Sequence, residues 1–135
     1  MKISEDLFKY FKEAGTLIKY HPNDVIYMEE DTTNNLYLIL KGRVKVYLIS
    51  KAGQEITLDI IGKGRIFGES SFLQNTNRPV CVSAIDEVEL ISCQLETMYP
   101  TILKSQELTI AILQLLSSTN DYLVNQVKKA YLYNR

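Results

Sequence analysis

The fold is decided by residues 36–48, which read LYLILKGRVKVYL. Aliphatic, aromatic and β-branched residues, the types that favour strands, occupy both ends of this stretch. In its middle, Lys41-Gly42-Arg43 supplies a tight turn, because glycine takes a positive φ without steric cost. The stretch therefore predicts a β-hairpin with polar positions interleaved in its second strand.

A period of two continues on both sides of this stretch, from Thr16 to Leu95. It predicts further strands over residues 25–28, 56–60, 80–84 and 88–92. A turn over residues 50–54 leads into the second of these, and the last two are expected to pair across a turn at Asp86 and Glu87. Many short strands at close, regular intervals indicate a sandwich, a barrel or a roll.

Helical patterns flank the strands. An N-terminal helix is capped by Ser4 and stopped by Gly15, and after the strands a short helix over 96–103 precedes a long one over 106–132. Residues of the long helix that share one stripe are Ile112, Leu116, Asn120, Leu123 and Val127. This stripe either packs on the β body or forms a parallel coiled-coil dimer, in which these residues make the dimer contacts.

The bulk composition indicates one domain without a strong charge. The 135 residues, 46% of them hydrophobic, suffice for one core and predict a single domain over 1–135. Within it we expect an N-terminal helix (1–15), a β-roll (16–95) and C-terminal helices (96–135). A formal charge of −1, from 15 basic and 16 acidic side chains, argues against DNA binding by this segment itself.

Two features favour a cytoplasmic protein. Cys81 and Cys93 are the only cysteines and have no CxxC spacing, so neither a disulfide framework nor a zinc or iron–sulfur cluster is expected. The N-terminus has no charged segment before an apolar stretch, and no run approaches the roughly 18 apolar residues of a membrane span. We therefore expect a protein of the reducing cytoplasm without a membrane partner.

The segment richest in potential chemistry is residues 62–78, GKGRIFGESSFLQNTNR. A glycine before a short helical turn lets backbone N–H groups converge on an anion, and the Arg78 guanidinium can form paired hydrogen bonds to phosphate or carboxylate. Glu69 could accept hydrogen bonds from sugar hydroxyls. The alternative is a polar connection between strands that carries a solvated arginine.

The order of these motifs resembles that of the cyclic-nucleotide-binding effector domain of the Crp/Fnr family of bacterial transcription regulators. The matching features, from roughly Thr16 to Tyr131, are Val25-Ile26 before a polar loop, the 36–44 stretch, the 62–67 turn, Phe67-Gly68-Glu69, Arg78 before a strand and the long terminal helix. The resemblance implies a mainly β fold with flanking helices, a double-stranded β-helix or jelly-roll, followed by a long C-terminal dimerisation helix.

The same resemblance implies roles for individual residues. Gly68 and Arg78 would hold a cyclic phosphate, and Glu69 would hold the ribose 2′-hydroxyl. The complete set of expected ligand-binding residues is Gly68, Glu69, Ser70, Ser71, Arg78, Pro79 and Val80.

The sequence departs from the family's pattern in this same region. Pro79 stands where Ser or Thr usually follows the arginine, and it has neither a hydroxyl nor an N–H for a phosphate. Ser70 replaces a large aliphatic residue, and Leu123 and Val124 stand where polar residues would meet an adenine. Cyclic AMP is therefore less favoured as effector than another small anion, or than no ligand at all.

These expectations describe a ligand-sensing regulatory domain, not an enzyme. It binds a small anionic effector, a cyclic nucleotide or another anion, and transmits the event through the helix of a homodimer. It would read DNA only through a helix-turn-helix domain that this sequence does not contain. We expect neither a catalytic residue nor a metal.

Two alternatives from other classes stay open. One is a stand-alone cyclic-nucleotide-binding-like module with a degenerate pocket. The other is a cupin-like metalloenzyme, for which the one histidine, His21, supplies too few metal ligands. A haem or iron–sulfur sensor likewise lacks the histidines and thiolates that it needs.

Overall fold

The computed structural model describes residues 2–32, 34–72 and 77–128, and within these ranges the side chains at 71–72, 119–124 and 126–128 are not described. A 3-10 turn, Glu5–Leu7, runs into helix α1, Phe8–Ala14. Two helices follow the strands, α2 (Leu95–Lys104) and α3 (Gln106–Lys128). The strands are β1 (Thr16–Tyr20), β2 (Val25–Tyr27), β3 (Asn35–Lys41), β4 (Val44–Ile49), β5 (Glu55–Ile61), β6 (Ile66–Phe67), β7 (Cys81–Ala84) and β8 (Val88–Gln94).

The strands form two four-stranded antiparallel sheets. The first has the order β1-β8-β3-β6 and the second the order β2-β7-β4-β5. Because the chain repeatedly leaves one sheet for the other, the sheets wind together as a roll, and the helices pack on the first sheet. The predicted fold class, mainly β with flanking helices in a jelly-roll, is confirmed. Among the described residues, no helix is both long and apolar enough to cross a membrane.

The turn at Gly42 does not close a hairpin, contrary to the sequence prediction. β3 pairs with β8 and β6, whereas β4 pairs with β5 and β7. Gly42 has the expected positive φ, 83°, but the turn is a corner at which the chain passes from one sheet to the other. The predicted turn is right, and the predicted pairing is wrong.

Burial of β3 on both faces explains the error. Leu36 and Leu38 pack against the helices, while Tyr37 and Ile39 belong to the core between the sheets. A strand that is covered on both faces is apolar at nearly every position, so its sequence has no alternation that would reveal its neighbours.

The predicted pairing of residues 80–84 with 88–92 is wrong in the same way. β7 pairs with β2 and β4, and β8 pairs with β1 and β3. Asp86 and Glu87 lie in a second corner between the sheets, next to the first, and the Ile85 amide donates to the Arg43 oxygen at 2.9 Å. Turn residues mark where a chain changes direction and do not specify which strand it then joins. The predicted turn over residues 50–54 is confirmed, and it closes a hairpin between β4 and β5.

Two clusters of buried apolar side chains lie on the two faces of the first sheet. The cluster between the sheets includes Tyr27, Tyr37, Ile39, Val44, Phe67, Val82 and Leu90. The cluster between the first sheet and the helices includes Phe11, Leu36, Leu38, Met98, Leu108, Ile112 and Leu115. Helix α3 is therefore held against the roll by the apolar residues of its first three turns.

We predict that Gly42→Ala destabilises the fold far more than Gly53→Ala. Both glycines have a positive φ, 83° and 81°, so alanine costs each about 1–2 kcal/mol of backbone strain. A Cβ at Gly42 would also lie 2.2 Å from the Glu87 carbonyl oxygen, whereas one at Gly53 would meet nothing within 4 Å. Urea unfolding should show a loss of about 3 kcal/mol or more for Gly42→Ala. Equal losses in the two variants would contradict a tight corner at Gly42.

Candidate functional site

The segment after β6 is shaped by Gly68. β6 pairs with β3 through Phe67 and Tyr37, which brings Gly68 beside Asn35. Gly68 has a φ of 87°, and a Cβ there would lie 2.6 Å from the Asn35 carbonyl oxygen. Only glycine fits so close to that oxygen, and the chain then enters a 3-10 turn, Glu69–Phe72. The expected helical turn after a glycine is therefore present.

Arg78, the expected phosphate ligand, is buried, with 1% of its surface exposed. Its guanidinium donates hydrogen bonds to the main-chain oxygens of Gly68 at 2.9 Å and Asn35 at 2.7 Å, and to the Ser70 hydroxyl at 3.3 Å. It also lies 4.3 Å from the ring centroid of Tyr27, within cation–π range. These contacts tie the segment after β6 to β3 and β2.

Aromatic rings pack beside this guanidinium. Tyr37 and Phe67 stack with their centroids 4.7 Å apart, and Tyr27 lies 6.0 Å from Tyr37. Burial raises the pKa of both tyrosines, although the positive charge of Arg78 opposes the shift. Both phenols are therefore neutral at physiological pH, and neither adds a negative charge beside the guanidinium.

A pocket of about 210 Å³ adjoins this arrangement. Residues from the predicted ligand-binding segment that line it are Gly68, Glu69, Pro79 and Val80. Helix α3 contributes Leu115 and Ser118. The other described residues that line the pocket are Tyr27, Val46, Leu58, Asp59, Ile61, Arg65, Ile66 and Phe67. The pocket is thus bounded by both sheets of the roll and by the helix expected to carry a signal.

The structure describes the side-chain or main-chain surroundings of six of the seven predicted ligand-binding residues, and these six form two groups. Four of them line the pocket, as just described. Arg78 and Ser70 are not part of the lining and belong to the buried hydrogen-bonded arrangement around the Gly68 oxygen. Ser71 lies in the 3-10 turn, and its side chain falls outside the described residues. The solvated arginine of the alternative interpretation is wrong, because Arg78 is buried.

Sequence reasoning assigned no function to Arg65 and Asp59, which both line the pocket. An Nη atom of Arg65 lies 3.7 Å from Asp59 Oδ2. Arg65 follows Gly64 directly before β6, and this cation in the glycine-rich turn was the available signal. Asp59 lies in β5. The alternation of residue types there predicted a strand but gave no indication of a ligand-binding site.

The stripe predicted for helix α3 is only partly within the described side chains. Ile112 is buried, and Leu116 is partly buried against the same helix-facing core. These two residues therefore pack within their own chain, as the simpler interpretation expects. The side chains of the other three members lie outside the described set, and those residues are Asn120, Leu123 and Val127. Among the helix side chains that the structure describes, the large exposed apolar ones are Ile110 and Leu113.

Both cysteines are buried. Cys93 is buried, its thiol donates to the Phe11 oxygen at 3.5 Å, and burial raises its pKa to about 12. Cys81 is also buried and accepts a hydrogen bond from the Glu29 amide at 3.3 Å. The Cys93 thiol, protonated because its pKa is raised, is therefore a poor nucleophile and a poor metal ligand. Within residues 2–32, 34–72 and 77–128, no group of three or more His, Cys, Asp or Glu side chains is placed to hold a metal ion.

We predict that Arg78→Ala lowers the free energy of unfolding by about 3–5 kcal/mol, because it removes a buried, charged donor from the Gly68 and Asn35 oxygens. Arg43→Ala is the matched control, since Arg43 is exposed and pairs with Asp86 at 2.8 Å. Arg43→Ala should lower the free energy of unfolding by less than about 1 kcal/mol. Urea unfolding measures both values. A small loss for Arg78→Ala as well would contradict its structural role.

A second prediction concerns His21, the one histidine. It is exposed, and hydrogen bonding to Glu87, at 3.1 Å, raises its pKa, with Asp24 adding to the shift. A raised folded-state pKa means that the stabilising contribution is complete below the unfolded value of about 6.5 and is lost as pH rises through the folded value. An NMR titration of the imidazole should give a pKa above 6.5 that Glu87→Gln lowers. A pKa unaffected by Glu87→Gln would refute the contact.

Sequence comparison finds relatives of this chain. A family model for the cyclic nucleotide-binding domain matches residues 17–104. The global nitrogen regulator of Synechococcus elongatus is 29% identical over 120 residues, which cover 83% of this chain and 54% of that protein. The cyclic AMP receptor protein of Thermus thermophilus is 33% identical over 73 residues, or 54% of this chain and 34% of that protein. The chain therefore spans about half, or less, of the length of these relatives.

Structure comparison gives the same result for the fold. The crystal structure of Thermus thermophilus catabolite activator protein matches with a TM-score of 0.80 and 22% sequence identity, over 93% of this chain and 59% of that one. Since the matching family model covers more than half of the chain, the protein belongs to the cyclic nucleotide-binding domain family and has Crp/Fnr-type regulators among its relatives.

Proposed function

We propose that this chain is the effector-binding domain of a Crp/Fnr-type transcription regulator and that it binds a small anionic ligand in the pocket beside Gly68. The observation that carries the proposal is the lining of this pocket, which joins Gly68 and Glu69 to Leu115 and Ser118 of helix α3. One ligand there would contact both the recognition segment and the helix. Binding without bond making or breaking is sufficient for this role.

Helix α3 is the element through which the ligand would act. Leu108 and Ile112 hold its first part in the core, and Leu115 and Ser118 border the pocket. A ligand that binds better to one position of the helix shifts the population toward that position. In the proposed homodimer, the paired helices would pass this shift to a DNA-reading helix-turn-helix domain.

The lining also limits the chemistry of the ligand. Most of the described lining residues are apolar, with Val46, Leu58 and Val80 among them, and the charged ones in this set are Asp59, Arg65 and Glu69. Such a pocket fits a molecule with one apolar or aromatic part and one anionic group. Its volume of about 210 Å³ lies below the roughly 300–1,000 Å³ that holds drug-sized ligands. The size therefore favours a compact effector.

Two contacts favour an effector other than cyclic AMP. Pro79 lines the pocket and offers neither a hydroxyl nor an N–H to a phosphate. The Arg78 guanidinium donates hydrogen bonds to the Gly68 and Asn35 oxygens, so contact with a ligand phosphate would require it to give up buried hydrogen bonds.

Glu69 also lines the pocket, and its carboxylate would accept hydrogen bonds from the hydroxyls of a ligand that contains a sugar.

A stand-alone module with a degenerate pocket is the second candidate function. Pro79 in the pocket lining favours this candidate, because a proline has no hydrogen-bond donor for the phosphate of a nucleotide. The two candidates differ in whether any small anion binds with saturation.

Calorimetric titration with cyclic AMP and cyclic GMP tests whether the proposed anionic effector is a cyclic nucleotide, and it uses the wild type, Pro79→Ser and Glu69→Gln. Pro79→Ser supplies the hydroxyl and the N–H that the family's pattern has after the arginine, and one new hydrogen bond should tighten nucleotide binding about 2- to 10-fold. Glu69→Gln should weaken it about 10-fold, because the charged acceptor is lost. Glu89→Gln, on β8 and outside the pocket lining, is the matched control.

Saturable binding that responds to residues 69 and 79 in this way supports a cyclic-nucleotide effector. If folded wild type and Pro79→Ser both give no heat with either nucleotide, a cyclic-nucleotide effector is ruled out. A Leu113→Trp variant adds a readout of helix α3, since Leu113 is exposed and the chain has no tryptophan. Unchanged fluorescence at ligand saturation would contradict transmission through this helix.

A further inference from the structure

We infer that Arg65, rather than the buried Arg78, binds the anionic group of the effector, and that Asp59 is the counter-ion it exchanges for the ligand. This inference rests on the proposed function and names the recognition residue within it. It starts from the distribution of charge in the pocket. Among the described residues that line the pocket, Arg65 is the one basic side chain, and Asp59 and Glu69 are the acidic ones.

Main-chain contacts fix Arg65 at the pocket wall. Gly64, with a φ of 86°, turns the chain toward β6. The Arg65 amide donates to the Gly62 oxygen at 3.1 Å, and the Arg65 oxygen accepts from the Ile39 amide at 3.0 Å. An isolated bridge to Lys2 adds a third support. The side chain therefore extends from a rigid position, as a recognition residue requires.

The Arg65 guanidinium has hydrogen-bonding capacity that its protein contacts do not use. The side chain is 27% exposed, and its Nε–H is buried without a hydrogen-bond partner among the described atoms. Its distance of 3.7 Å from Asp59 Oδ2 is within ion-pair range but too long for a hydrogen bond. The buried Nε–H has no surface open to a ligand, so an anion in the pocket would be met by the Nη donors, one of which has only the long contact to Asp59.

The two arginines differ in what their donors reach. Arg78 directs its guanidinium at the main-chain oxygens of Gly68 and Asn35 and is absent from the pocket lining. Arg65 is part of the lining. A planar guanidinium binds phosphate or carboxylate through paired N–H donors, and the arginine that borders the cavity is the one placed to do so.

Asp59 gives the pocket a way to select for charge. Its side chain is 44% exposed, and an exposed pair at this distance contributes little stability. An anionic ligand that displaces the Asp59 carboxylate from Arg65 brings a negative charge in its place. A neutral ligand that displaces the carboxylate leaves the guanidinium without a counter-ion in an apolar wall. The pocket should therefore prefer a phosphate or carboxylate to a neutral molecule of the same shape.

The test measures binding of cyclic AMP, cyclic GMP and inorganic phosphate, by calorimetry and NMR, to wild type, Arg65→Ala, Arg65→Lys and Asp59→Asn. For each probe that binds, Arg65→Ala should weaken binding about 10- to 100-fold, the loss of one or two charge-assisted hydrogen bonds. The affinity of Arg65→Lys should lie between those of wild type and Arg65→Ala, because lysine keeps the charge and loses the paired donors. Asp59→Asn should tighten binding about two- to fivefold.

Lys63→Ala is the matched control for these variants. Lys63 lies two positions before Arg65, its side chain is 60% exposed, and it pairs with Glu5 outside the pocket lining. Its removal lowers the net charge as Arg65→Ala does, so a long-range electrostatic effect would weaken binding in both variants. We expect affinity to change only with Arg65.

The outcomes separate this inference from the proposed function. Equal affinity of wild type and Arg65→Ala for a bound probe would overturn the role of Arg65 and leave the effector function standing. Phosphate binding that depends on Arg65, without binding of either nucleotide, would support Arg65 and exclude a cyclic-nucleotide effector. If no probe binds wild type or Asp59→Asn at high-millimolar concentration, the role of Arg65 is overturned.

Discussion

The structure depends on one buried cation, the Arg78 guanidinium, and on the oxygens and the tyrosine ring around it. Arg78 precedes β7, and Tyr27 ends β2, in the second sheet, whereas Asn35 begins β3 and Gly68 follows β6, in the first. One side chain thus connects both sheets at the edge of the pocket. A buried charge is stable only where dipoles and hydrogen-bond acceptors surround it, so the segments that supply them must keep their relative positions.

In the proposed site, this use of Arg78 separates the residues that shape the segment around Gly68 from the residues that would contact a ligand. The shape of the segment around Gly68 is maintained from behind the pocket lining, while the charged residues that border the cavity, within the described part of the chain, are Asp59, Arg65 and Glu69. A family scaffold can therefore be retained while the groups that meet the ligand change, because specificity resides in the groups that contact the ligand. Pro79 fits this division, since it lines the pocket without offering a hydrogen-bond donor.

The positions of the longer strands and the order of the helices could be predicted from the sequence, because alternation and turn residues are local signals. Strand pairing could not be predicted from the sequence. β3 shows the reason, because a strand that is buried on both faces has no polar side to indicate its neighbours. β6 has two residues, too few for any period. The pocket segment was predictable from Gly68 and Glu69. The sequence could not show that Arg78 points inward, because a buried arginine and a ligand-binding arginine are the same residue type.

The winding of the two sheets has a consequence for how the chain folds. In the first sheet, Thr16 pairs with Ser92, and Asn35 pairs with Gln94, so its central strand β8 joins residues far apart along the chain. The β4–β5 hairpin is the pairing with a short loop. Closing long loops costs chain entropy before any contact compensates for it, which makes such topologies slow to form. During synthesis, β1 has no partner strand until β8 emerges, and β3 can pair only with the two residues of β6 before then. Until β8 arrives, both strands therefore expose hydrogen-bonding edges to other chains.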